Sequence, residues 1–172
     1  MWQYMTAMLA LAVLGLVGGQ SARAQTYGSP EEAAVAKALK DVKVSLQQGL
    51  TASQRDGTPI SGKFEMEHEK LQLSVYPMKG GKFSEVIVDH ATGKVAKVEA
   101  ITEGEDLTAA QAQRAAMAKA KKNLRAAVDA AVKANAGSRA ISVIPALKDG
   151  HPVATVTLAK GDAVTTVSEK LD

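Results

Sequence analysis

The stretch Glu85–Val98 reads as two strands joined by a tight turn, and it restricts the folds open to this chain more than any other segment. Val86 and Val88 fall on one face and Ile87 on the other, as the two-residue period of a strand requires. Asp89 can accept hydrogen bonds from backbone N–H groups two or three residues on. Gly93 can adopt a positive φ that a residue with a Cβ resists. Val95 then restarts the apolar rhythm. A chain holding such a hairpin needs further strands or a helix to cover its apolar face.

Those partners are visible on both sides. Upstream, Phe64, Met66 and His68 alternate with Lys63, Glu65 and Glu67, and Leu71, Leu73 and Val75 alternate with Gln72, Ser74 and Tyr76. Lys79-Gly80-Gly81-Lys82 reads as a turn, and Arg55–Pro59 as a loop. Before them, Ser29-Pro30-Glu31-Glu32 announces a helix: an N-cap serine, a proline at the first helical position and a capping-box glutamate. Val35, Leu39, Val42 and Leu46 recur at helical spacing, which predicts one helix ending at Gly49 with a left-handed cap.

The scheme restarts after the acidic connector Thr102–Asp106. Thr108, with Gln111 three residues on, predicts the start of a long Ala-rich helix running to about Asn135. Its apolar stripe is Met117, Leu124, Val128 and Val132. Strands follow over 140–146, 153–158 and 163–167, punctuated by Lys148-Asp149-Gly150 and Lys160-Gly161-Asp162. The fold class expected is α+β. Two helix-strand-strand-strand repeats carry their helices on sheet faces, and the first half has room for a fourth strand.

The N-terminus has a different character. Met8–Gly19 is almost wholly apolar and is followed by Ala22-Arg23-Ala24, an A-x-A cleavage pattern. The run is short for a bilayer span. Residues 1–24 are therefore read as a signal peptide, although no Lys or Arg precedes the apolar run; the alternative is an uncleaved anchor. The organisation expected is 1–24 signal peptide, 25–101 first unit and 102–172 second unit, with Gln25–Gly28 a loose tail. A cysteine-free exported chain points to a bacterial periplasm or the exterior.

Composition excludes several functions. No cysteine means no disulfide, thiol nucleophile or thiolate metal site. A net charge of +3 is too small to argue for nucleic acid, and 3% aromatic residues leave few stacking platforms. His68, His90 and His151 form no close pair. His68 sits among Glu65, Glu67 and Glu69, but strand alternation puts it on the opposite face from them, so a solvated face is preferred to a metal site. His90 reads as an exposed turn residue and His151 as a hairpin tip. No nucleophile elbow, Ser-x-x-Lys motif or phosphate loop is present. The basic run Lys119–Arg125 reads as the solvated face of a helix. No catalytic, cofactor-binding or metal residue is expected. Asp89, Thr92 and Gly93 are read as structural turn residues.

Two segments carry a resemblance. Val88-Asp89-His90-Ala91-Thr92-Gly93-Lys94-Val95 resembles the Val-Asp-x-x-Thr-Gly-x-Val turn of the PepSY domain family, and Leu107-Thr108-Ala109-Ala110-Gln111-Ala112 resembles the start of its helix. The first half has the turn without that helix wording, and the second half has the helix wording without the turn. The resemblance implies a small exported module without catalytic residues or cofactors. It implies binding to a peptide or protein, such as a peptidase that it inhibits, through a sheet face or strand edge. No nucleic acid and no stable membrane insertion after signal cleavage are expected. The residues alone leave open a second role, a carrier of a small apolar ligand in a pocket between helix and sheet.

Overall fold

The computed structural model describes residues 28–172, and the segment read as a signal peptide lies outside the described residues. The fold is α+β. Helices α1 (Pro30–Ala38) and α2 (Leu46–Ala52) precede strands β1 (Thr58–Glu67), β2 (Lys70–Lys79), β3 (Lys82–Val88) and β4 (Val95–Ile101). Helices α3 (Gly104–Met117) and α4 (Leu124–Ala134) precede β5 (Arg139–Lys148), β6 (His151–Lys160) and β7 (Ala163–Lys170). The strands form one antiparallel sheet in the order β4-β3-β2-β1-β5-β6-β7. The two halves therefore join edge to edge through β1 and β5, where Gly62 faces Val143 and Lys63 faces Ser142.

The helices differ from the sequence expectation. The first is broken: α1 ends in a 3-10 turn at Leu39–Asp41, and α2 starts afresh from Ser45. Ser45 and Gln48 make a complete capping box, and the β-branched Val42 and Val44 occupy the link before it. Gly49 is not a left-handed cap. It lies inside α2, buried against Leu73. The long Ala-rich helix is likewise two helices. Asn123 caps α4 by accepting a hydrogen bond from Ala126 N–H at 2.9 Å. Thr108 is not an N-cap, because α3 already begins at Gly104; the Thr108 hydroxyl donates back to the Gly104 carbonyl. Each half thus contributes two helices, and the first has four strands.

Other differences are local. Thr58 and Pro59 belong to β1 rather than to a loop. His68 lies not on a strand but in a two-residue turn with Glu69, between the paired Glu67 and Lys70. Both turn residues have positive φ, the pattern of a type I′ turn whose twist matches the strands it joins. Lys119, Lys121 and Lys122 sit in the link between α3 and α4, not on a helix face. Gly28, expected in a loose tail, packs closely against Val164.

Strand alternation sorts the sheet into two faces. Gly62, Phe64, Leu73, Val75, Val86 and Val88 share one face, which α2 covers: a Cβ on Gly62 would approach Leu50 and Leu46. Helix α4 packs on β5, β6 and β7 and lends Leu124, Val128 and Ala131 to the same core. Each large aliphatic chain removed from water there contributes about 1.5–3 kcal/mol. The opposite face carries Ser61, Lys63, Tyr76 and Glu85. Helix α3 crosses it, and the Ser61 hydroxyl donates to Gln113 Oε1 at 2.7 Å. Ile60, Phe83 and Ala110 form a second, smaller core under α3.

Candidate functional site

The loop between β3 and β4 is organised by Asp89. Its Oδ1 accepts from the N–H groups of Ala91 (2.9 Å) and Thr92 (2.7 Å). Its backbone N–H donates to the Lys94 carbonyl, and its carbonyl accepts from Gly93. The Thr92 backbone bond, first among several, holds the Asp89 carboxyl below the usual carboxylate range. Gly93 has φ +74°. The neighbouring His90 carbonyl accepts from Val44 N–H, which ties the α1–α2 link to this loop. Asp89, Thr92 and Gly93 are all turned to the loop's own backbone.

The histidines stay apart. His68 is exposed beside Glu67, and His151, the first residue of β6, meets Asp172 at 3.0 Å. No group of three potential metal ligands occurs among the described residues. The sheet face under α3 gathers several titratable side chains. Lys63 Nζ lies 2.6 Å from Glu65 and 5.9 Å from the centre of the Tyr76 ring. Tyr76 OH and Gln72 Nε2 each reach Glu85 Oε1 at 3.4 Å. Burial raises the Glu85 carboxyl, and burial with the nearby carboxylates pushes the Tyr76 phenol up.

A sizeable concavity lies elsewhere, at the end of the sheet where β1 starts. It holds about 660 Å³, within the ~300–1,000 Å³ of small-molecule sites. Leu50, Pro59, Met78, Met117 and Leu124 give it an apolar lining. Arg55, Lys79 and Arg125 also line it, and no carboxylate does. Arg55 pairs with Asp56 at 3.0 Å; Arg125 donates to Thr51 Oγ1 and lies 3.8 Å from Asp129. Sequence reasoning read Arg125 in a solvated basic run and Arg55 in a loop, and did not bring these three cations together. They come from the 3-10 turn after α2, the end of β2 and the start of α4, and no local pattern links them.

The last feature is an edge. β7 is flanked by α1 and α4. β4 is paired only with β3, and Val98 near its centre is 47% exposed. None of the described helices is long and apolar enough to cross a membrane.

Compared with family models, with curated proteins and with solved structures, the chain finds no match. The likeness to PepSY domains rests on the two short segments Val88–Val95 and Leu107–Ala112.

Proposed function

We propose that this chain is an exported, non-enzymatic binding module, two PepSY-like repeats acting in the periplasm or outside the cell. It binds an extended segment of a protein partner, a secreted peptidase being the favoured class. The observation that carries the reading is the β4 edge: seven residues paired on one side only, with Val98 near the centre exposed. An added strand takes its affinity from main-chain hydrogen bonds and asks for no signature side chains. That accords with a chain in which the motif-like residues serve a turn. Lys97 and Glu99, paired at 2.9 Å, place opposite charges on this edge, which discourages indiscriminate strand pairing.

The test is residual activity of a panel of secreted metallopeptidases after incubation with the protein. Saturable inhibition of at least one is expected; none inhibited would overturn the peptidase reading.

A second reading, a small-ligand carrier, is supported by the apolar-lined cleft at the β1 end of the sheet.

A further inference from the structure

We infer that the cleft between α2, the start of β1 and the α3–α4 link is a binding site for a single-chain aliphatic carboxylate. This rests on the carrier reading and gives it a chemical class.

The lining chemistry selects the ligand. Leu50, Met78 and Leu124 offer a flexible aliphatic surface, and no aromatic ring lines the cleft to stack a base or sugar. The charges at the cleft are of one sign. Arg55 and Arg125 are each balanced by an aspartate outside the lining, whereas Lys79 has no ion-pair partner among the described residues. An amine would meet three cations; a carboxylate would gain charge-assisted hydrogen bonds.

The opposite end of the sheet shows why the cleft is open. β1 and β5 enter the sheet in the same way: Thr58 pairs with Met78, Arg139 pairs with Ala159, and each strand carries a register shift within its first four residues. At the β5 end the Arg139 side chain fills the space beside the α1–α2 link. It donates to the carbonyls of Leu39 (2.7 Å), Val42 (2.8 Å) and Val44 (3.2 Å). At the β1 end the corresponding residue is the short, exposed Thr58, and nothing from β1 reaches across. The cleft lies at the position that the Arg139 side chain bridges at the other end.

The experiment is calorimetric titration with dodecanoate, methyl dodecanoate and dodecylamine, each below its micelle concentration. Dodecanoate should saturate at one per chain. The ester should bind at least about tenfold more weakly, as expected for a lost charge-assisted hydrogen bond, and the amine should not bind. Lys79→Gln should weaken dodecanoate about tenfold and leave the ester unchanged. Thr58→Trp should weaken both by narrowing the cleft, with its melting curve checked by circular dichroism. Should that variant not fold, the exposed Lys79→Gln decides. Equal binding of acid and ester overturns the carboxylate preference alone. No saturable binding of any probe overturns the carrier reading as well. Dodecanoate binding unchanged by folded variants overturns the assignment to this cleft.

Discussion

Asp89 and Gly93 divide the work of one loop between a hydrogen-bond acceptor and a backbone conformation. A Cβ on Gly93 would lie 3.6 Å from Val44, an ordinary contact, so the constraint there is the φ of +74° and not space. Gly93→Val should lower stability by about 1 kcal/mol or more; an unchanged melting temperature would contradict this account of the turn. The Asp89 carboxyl titrates below its ordinary value because it accepts N–H groups only when folded. Its contribution is therefore present above the unfolded pKa and lost as pH falls through the folded one. Asp89→Ala should melt lower than the parent at neutral pH, with the gap closing in acid; a gap independent of pH would show that the charge has no part. Both roles could be read from sequence because a turn is local chemistry. The His68-Glu69 turn was not read, since neither residue advertises positive φ; its one signal was the change of phase from Phe64, Met66 and His68 to Leu71, Leu73 and Val75.

At the scale of elements, the helix breaks were the main departure. The signals were present: Ser45 with Gln48, and Asn123 before Leu124, are sound helix starts. They were outweighed by apolar spacing that continued in phase across each break, from Val35 to Leu46 and from Met117 to Val132. Packing decides otherwise. Helix α3 packs on the Ser61 face and α4 on the opposite, core face, so the chain must turn between them, and α2 lies so close to the sheet that only a glycine fits at position 49. A Cβ there would sit 2.7 Å from Leu73 Cδ2, and Leu73 is fully buried. Helix propensity would favour alanine by about 1 kcal/mol, but overpacking a rigid core costs about 1–3 kcal/mol. Gly49→Ala should thus destabilise by roughly 1 kcal/mol on these figures, measured by denaturant unfolding; a stabilised variant would mean that α2 stands off the sheet. Most strand ends were legible, because Asp149-Gly150, Gly80-Gly81 and Gly161 mark them, whereas the start of β1 at Thr58 was read as loop.

At the scale of the whole molecule, strand content could be read from the sequence but strand neighbours could not. The β1–β5 pairing joins residues about eighty positions apart through few direct ladder pairs, and alternating faces look alike whether two sheets pack or one continues. The same non-locality hid the cleft, whose cations Arg55, Lys79 and Arg125 converge only in the fold. The continuous sheet ends in two edge strands, β7 in contact with α1 and α4 and β4 carrying the exposed Val98, and that asymmetry underlies the proposed function. The most direct measurement is amide hydrogen exchange, resolved to individual strands, with and without a peptidase that the protein inhibits. Binding by strand addition predicts new protection at amides of Val95–Ile101 and little change in β7. Protection confined to α3 or to the cleft, with β4 exchanging as in the free protein, would contradict it.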